Sequence, residues 1–537
     1  MKPTSTLLAG AAALASAQHH SSYGHDHAGH AGWFHLPGRD YQPVPSAGNA
    51  TFTQPIDHAN PDLGTFEQFY MYDTTYWAGP GSPVVLFTPG EVNASGYGSY
   101  LTTNRTTGVL AKEIGAAVVN LEHRYWGTST PFTELTTGNL TYLTLDNSIK
   151  DLTNFAANAP LPFARHHSNA ADVPWVLMGG SYSGALAAWT ESVAPGTFWA
   201  YHASSAPVEA VSDYWGYFLP VQQGMPQNCS TDVNLVIEYM DGVLGNGTAE
   251  EVGALKDMFG LQNVTHDDDF MAALENGPWL WQGNQFYTNY SRFFQWCDAV
   301  EGMTNATDNT TRPGPEGVGL ETALAGYASW FKTSFLPGYC ESFGYAEFNG
   351  TDNTYCFNTY DPTSPQFTDM SLSNTYDRQW VWMTCNEPFG YWQDGAPPGR
   401  PTLVSRLVTA EYWIRQCGLY FPEQDGKTYG IAAGKTEEDV NAYDGGWDID
   451  NSTRLLYVNG GFDPWREASV SSDLRPEGPL QSTAAVPVNI VPGGFHTSDL
   501  VTRNGEANAT VQAVIDASVA QLAAWVAEFP KRRHWRA

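Results

Sequence analysis

The stretch Val176-Leu177-Met178-Gly179-Gly180-Ser181-Tyr182-Ser183-Gly184-Ala185 sets the terms for the rest of the chain. An apolar run ends in two glycines, a serine follows, and Ala185-Leu186-Ala187-Ala188-Trp189 reads as the start of a buried helix. Strand, sharp turn and helix is the context in which an α/β-hydrolase presents its nucleophile, and the turn is tight enough to demand small neighbours. Gly179 stands two residues before Ser181, but the residue two after is Ser183, with Gly184 next. Ser183 is the poorer nucleophile candidate, because Ser181 and Ala185 would then take the flanking glycine positions. Without chemistry, the same pattern is a glycine-rich strand-to-helix turn.

Around this turn the chain alternates strand and helix. Thr65–Tyr72 alternates aromatic residues as a half-buried strand does, and Pro83–Thr88 is a buried strand followed by the turn Pro89-Gly90-Glu91. Gly115–Tyr125 is another strand entering a polar loop, and a helix covers about Asp146–Asn158. Strands alternating with helices predict a mostly parallel sheet. Past Pro207 the pattern turns helical, as in Asp232–Leu244 and Ala249–Phe259, and stays so to about Gly399. Strands return at Ser452–Gly460 and Val486–Val491, and an amphipathic helix over about Thr510–Phe529 closes the chain. The expected fold class is α/β: an α/β-hydrolase core over 49–207 and 400–530, interrupted by a large, mainly helical cap insertion over 208–399.

The N-terminus has a charged start, a short apolar run and Ala15-Ser16-Ala17, which predicts a signal peptide over 1–17 and a secreted, extracellular protein. The His- and Gly-rich residues 18–48 read as a disordered leader or a propeptide, and 531–537 as a basic tail. Thirteen N-x-S/T sequons, from Asn49 to Asn508, predict N-linked glycans. No later run reaches about 18 uninterrupted apolar residues, the length that reads as a bilayer span. Acidic residues outnumber basic ones 56 to 25, for a formal charge of -31, which excludes nucleic acid and anionic lipid as electrostatic partners. The six cysteines, Cys229, Cys297, Cys340, Cys356, Cys385 and Cys417, allow three disulfides in any of 15 connectivities. None has metal-ligand spacing, and neither a metal nor a cofactor is expected. Monomer and dimer remain open.

A serine nucleophile needs a base, and the base an orienting carboxylate, in the chain order Ser, acid, His for this fold. After His266 only His496 and His534 remain, and His534 lies in the charged tail. His496 sits in Pro492-Gly493-Gly494-Phe495-His496, directly after a predicted strand. The preceding strand ends in Asn459-Gly460-Gly461-Phe462-Asp463-Pro464-Trp465, which makes Asp463 the acid. Its bland reading is an Asx turn before Pro464, and that of His496 a core or capping histidine. Asp499 lies on the wrong side of His496 and is expected to cap the next helix.

The sequence GGSYSG at Gly179–Gly184, NGGFDPW at Asn459–Trp465 and GGFH at Gly493–His496 resemble, in this order, the S28 family of serine peptidases, which includes prolyl carboxypeptidase and dipeptidyl peptidase II. Phe52–His58, Glu122–Gly127, Leu140–Leu143 and Arg378–Glu387 extend the likeness over about residues 50 to 525. It looks closest to the secreted fungal acid prolyl endopeptidases. One departure is Thr88-Pro89-Gly90-Glu91, where many relatives have G-N-E-G. The resemblance implies proline-rich peptide or protein substrates cut on the carboxyl side of proline at acid pH, and carries over Ser181, Asp463 and His496 as a triad. It also implies Trp465 as a wall of the proline pocket, and Cys385–Cys417 and Cys229–Cys297 as disulfides, leaving Cys340–Cys356. The oxyanion donors would be the backbone N–H of Tyr182 and one from the Gly90-Glu91 turn. Acid activity poses a physical question, because an imidazolium cannot act as base. The rival readings are a proline-specific exopeptidase of the same family, a secreted carboxylesterase or lipase, and a catalytically inactive hydrolase fold.

Overall fold

The computed structural model describes residues 46–164, 168–303, 312–449 and 451–530. The signal peptide, nearly all of the leader, the sequons at Asn305 and Asn309, and the basic tail lie outside the described residues.

Ten strands are present among the described residues: β1 (Ala47–Pro55), β2 (Thr65–Asp73), β3 (Val84–Phe87), β4 (Ala117–Leu121), β5 (Trp175–Gly180), β6 (Ala200–Ser204), β7 (Val211–Asp213), β8 (Gly390–Trp392), β9 (Leu455–Gly460) and β10 (Val488–Val491). Eight form one sheet in the order β1-β2-β4-β3-β5-β6-β9-β10. The β1 and β2 pairings are antiparallel, and every pairing from β4 to β10 is parallel. The central parallel strands β3 and β5 open on continuous apolar runs because both of their faces are covered. Val85, Phe87, Val118, Val176, Met178, Leu456 and Val458 face a core shared with the helices Thr106–Ile114 and Ala509–Ala527. Their neighbours Val84, Leu86, Val119, Leu177, Leu455 and Tyr457 face the other way, into the core shared with Leu145–Asn158 and Tyr182–Val193. That second core continues without a break into the insertion.

The helix Ala509–Ala527 is long and apolar enough to cross a membrane by length and composition alone. It packs Val511, Ile515, Leu522 and Trp525 on the sheet instead.

The main sheet has no strand between Ser204 and Leu455 among the described residues. The helices Ala410–Tyr420 and Glu437–Asp444 fall in this interval, so the helical part runs beyond the Gly399 boundary read from the sequence. Both helices begin at threonine caps, Thr409 and Thr436, whose side chains accept the N–H groups of Tyr412 and Asp439. Three disulfides staple the insertion: Cys229–Cys297, Cys340–Cys356 and Cys385–Cys417.

Candidate active site

Ser181 occupies the single residue between β5 and the helix Tyr182–Val193, at φ 61° and ψ -136°. A non-glycine residue pays strain there and persists only where its surroundings enforce it. Ser204 on β6 accepts the Ser181 N–H at 2.9 Å, and the Ser181 carbonyl accepts from Gly184 and Ala185 at 2.9 and 3.0 Å. A Cβ at Gly179 would stand 2.0 Å from the Ser183 carbonyl oxygen, and one at Gly184 2.6 Å from that of Ser204. Ser183 Oγ donates to Gly180 O at 2.7 Å and accepts from Gly180 N–H at 3.1 Å, so its hydroxyl is committed to the turn.

His496 follows β10, and Asp463 follows β9, its parallel neighbour. The two loops meet backbone to backbone: Phe462 N–H donates to Gly494 O at 2.8 Å, and a Cβ at Gly460 would stand 2.6 Å from the Gly494 and Phe495 carbonyls. Asp463 is fully buried, and its Oδ1 accepts both His496 Nδ1 and the Trp465 N–H at 3.0 Å. The Asx turn and the orienting carboxylate are thus one oxygen. With Nδ1 donating, Nε2 is the acceptor nitrogen of the imidazole. His496 Nε2 is buried without a hydrogen-bond partner, and the bond to Ser181 Oγ is not closed. Such contacts are often long until substrate binds. The loops are nonetheless in contact, since a Cβ at Gly180 would meet Thr497 Cγ2 at 3.1 Å.

The Tyr182 N–H opens the helix and has no intrahelical acceptor. Gly90, at φ 78°, turns the chain over the elbow, where a Cβ would stand 3.3 Å from Ser183 Cβ. Burial pushes the Glu91 carboxyl up to about 8, against its own backbone N–H, with Asp377 raising it further. Glu122 pins the same loop: it accepts the Ala94 N–H at 2.9 Å and, on its other oxygen, the Ser129 N–H and Oγ at 3.0 and 2.6 Å. The adjacent His123 brings Nε2 to 3.1 Å from the Tyr182 hydroxyl.

Trp465 is buried, with its ring centroid 6.4 Å from that of His496. Tyr214, Tyr217 and Tyr391 surround it at 5.7, 5.5 and 5.3 Å. Gln282 Oε1 accepts both the Trp465 Nε1–H at 3.0 Å and the Tyr217 hydroxyl at 2.8 Å. Gln285 donates to the His496 carbonyl at 2.9 Å. These contributions from the insertion carry no local sequence pattern, and the sequence reading missed them. A separate cavity of about 80 Å³, lined by Asp269, Trp279, Tyr339 and Trp413 among others, contains none of the triad candidates.

Asp499 does not cap the following helix. Val501 stands at that N-cap without a side-chain bond, and the Asp499 carboxylate turns inward to Ser204 and His202. The chain leaves His496 through the 3-10 turn Ser498–Leu500, and within that turn the carboxylate meets β6 before the helix begins.

The profile of the family described as Serine carboxypeptidase S28 matches residues 54–514. Serine protease vicPa of Bipolaris victoriae is 44% identical over 90% of this chain and 89% of its own length. Its companion vicPb is 42% identical over 90% of both chains. A probable extracellular serine carboxypeptidase of Arthroderma benhamiae is 28% identical over 84% of this chain and 63% of its own. The strained serine elbow, the Asp–His pair and these matches lead to one assignment: the chain belongs to the serine carboxypeptidase S28 family, as a serine peptidase on an α/β-hydrolase core.

Proposed function

We propose that this serine peptidase is secreted and hydrolyses peptide bonds on the carboxyl side of proline, as an acid prolyl endopeptidase acting through Ser181, His496 and Asp463. The observation that carries the reading is the Asp463–His496 hydrogen bond of 3.0 Å beside a strained serine, with the Trp465 ring next to the imidazole. His496 Nε2 takes the Ser181 proton as Oγ attacks the scissile carbonyl, while Asp463 holds the ring and stabilises the imidazolium. The oxyanion is met by the Tyr182 N–H and one N–H of the Gly90-Glu91 turn, each donor contributing roughly 3 kcal/mol. His496 then gives its proton to the leaving amine, and water, activated by the same imidazole, hydrolyses the acyl-enzyme. A proline ring is rigid and apolar, and the Trp465 ring, held in place by packing against Tyr214, Tyr217 and Tyr391, is the aromatic surface proposed to meet it.

The second reading is carboxypeptidase action, favoured by the family description and the name of the Arthroderma relative. One experiment separates them. An internally quenched peptide with proline mid-chain and both ends blocked is cleaved by an endopeptidase and untouched by an exopeptidase. Mapping a fluorophosphonate label in the same preparation to Ser181 tests the nucleophile.

A further inference from the structure

Ser181 and His496 belong to β5 and β10, which are not neighbours: β6 and β9 lie between them. No ladder sets one directly against the other. Asp463 ties the imidazole to β9, but something must also tie the His496 loop to the nucleophile's side of the sheet.

That role falls to residues at the end of β6. Asp499, three residues after His496 and buried, accepts the Ser204 hydroxyl on Oδ1 at 2.5 Å. Ser204 is the same residue whose carbonyl accepts the Ser181 N–H. Asp499 Oδ2 lies 3.2 Å from Nε2 of the fully buried His202, though off the line of a hydrogen bond. The Asp499 carbonyl accepts the Thr106 hydroxyl, and Ser205, at φ 48°, accepts the Thr497 N–H on its hydroxyl at 2.8 Å. Leu500 and Thr497 close over Gly180, where a Cβ would stand 2.6 Å from Leu500 Cδ1. The path from nucleophile to base loop is therefore continuous: Ser181 N–H to Ser204 carbonyl, Ser204 hydroxyl to Asp499, and Asp499 through three residues to His496.

We propose that Asp499 is a positioning residue, holding the base loop in register with the nucleophile through Ser204. The inference rests on Ser181 as nucleophile and His496 as base. Asp499 touches neither substrate nor reacting atoms; it acts through the placement of both loops. A misplacement of about 1 Å between reacting groups costs on the order of 10²-fold in rate.

The test compares Asp499→Ala, Asp499→Asn, Ser204→Ala and the Ser204→Ala/Asp499→Ala double variant. Turnover is normalised to the sites titrated by a fluorophosphonate, so a loss of folded protein does not register as a loss of rate. Asp499→Ala is expected to lower kcat per titrated site about 10²-fold with KM within about twofold. Ser204→Ala keeps its carbonyl for Ser181 and should lose about tenfold. Because both act on one link, the double variant should lie within about threefold of Asp499→Ala alone. Asp499→Ala or Ser204→Ala within about threefold of the parent per titrated site would overturn the proposal, as would losses that multiply in the double variant. If Asp499→Ala does not fold, Ser204→Ala decides by the same criterion; Asp499→Asn keeps an oxygen that accepts the Ser204 hydroxyl and is expected nearer the parent than Ser204→Ala, and the reverse order would overturn the proposal. A label in the parent protein that maps to a serine other than Ser181 would remove the nucleophile assignment itself, and the proposal with it.

Discussion

Glu91 supports a sharp prediction about stability and pH. Its side chain is 6% exposed, Oε1 has no hydrogen-bond partner, and no Lys, Arg or His forms an ion pair with it among the described residues. A buried carboxyl without a cation is held neutral, and burial takes Glu91 from 4.5 to about 8, with a further push from Asp377. The folded protein therefore keeps this proton between about pH 4.5 and 8, where the unfolded chain releases it. Its contribution is fully present below 4.5 and is lost as pH rises toward 8, by up to about 1.4 kcal/mol per pH unit. Between pH 5 and 7 that amounts to roughly 2–3 kcal/mol from this one group. Other groups titrate as well, so the quantity to measure is a difference. Unfolding free energies of the parent and of Glu91→Gln, which copies the neutral carboxyl, should be taken by urea denaturation at pH 5, 6 and 7 and constant ionic strength. The parent should lose about 2–3 kcal/mol relative to the variant across that range. Parallel profiles, or a parent that gains on the variant toward pH 7, would refute the reasoning. A protein adapted to acid tolerates such groups at no loss, which agrees with the proposed acid peptidase.

Three further outcomes follow from the site and its supports. Ser181→Ala should fold normally and lose at least about 10³-fold in turnover; equal activity, or loss confined to Ser183→Ala, would move the nucleophile. Trp465→Ala should lower kcat/KM for cleavage after proline by about 5- to 150-fold, from the roughly 1–3 kcal/mol an aromatic wall supplies, while an activated ester is far less affected. Equal loss on both substrates with a large fall in Tm would make Trp465 a core residue. Asp151 is buried, carries a bidentate pair with Arg124 at 2.7 Å on both bonds and a bond from His58, and Arg124 holds its carboxyl below the usual range against burial. Asp151→Ala strands the Arg124 guanidinium and should cost about 3–5 kcal/mol of stability, read by denaturant unfolding.

The sequence was most readable where one residue type had one job. The pattern at Ser181 needed glycines for close backbone approach, and Gly179 and Gly184 have it. His496 stood out because histidine is scarce in the second half of the chain. Element positions followed from periodicity, so the helix expected near Asp146–Asn158 runs over Leu145–Asn158 and the last one over Ala509–Ala527. The rest was hidden because it depends on residues brought together from far apart. Gln282 serves Trp465 across 183 positions, and Gln285 reaches His496 across 211. Asp499 read as a helix cap because its neighbours in sequence suggested one, while its partner Ser204 lies 295 positions away. Glu122 was visible only as part of a motif, since its use, gripping the loop beyond Glu91, depends on how β4 ends beside β3.

The departure at Ser183 is explained by the same geometry. The elbow needs a missing side chain where its helix crosses the neighbouring strand, and that crossing is at position 184, against the Ser204 carbonyl. Position 183 instead faces the Gly90 turn, where a Cβ fits, and its hydroxyl closes the last peptide of β5 through Gly180. A serine there adds a bond that glycine could not make. Ser204 then carries three demands together: its carbonyl excludes a side chain at 184, the same carbonyl anchors the Ser181 N–H, and its hydroxyl engages Asp499. A shift of the β6 backbone at Ser204 is therefore felt at the elbow and at the base loop together, whereas a side-chain change reaches only the base loop, although β6 supplies none of the three triad candidates.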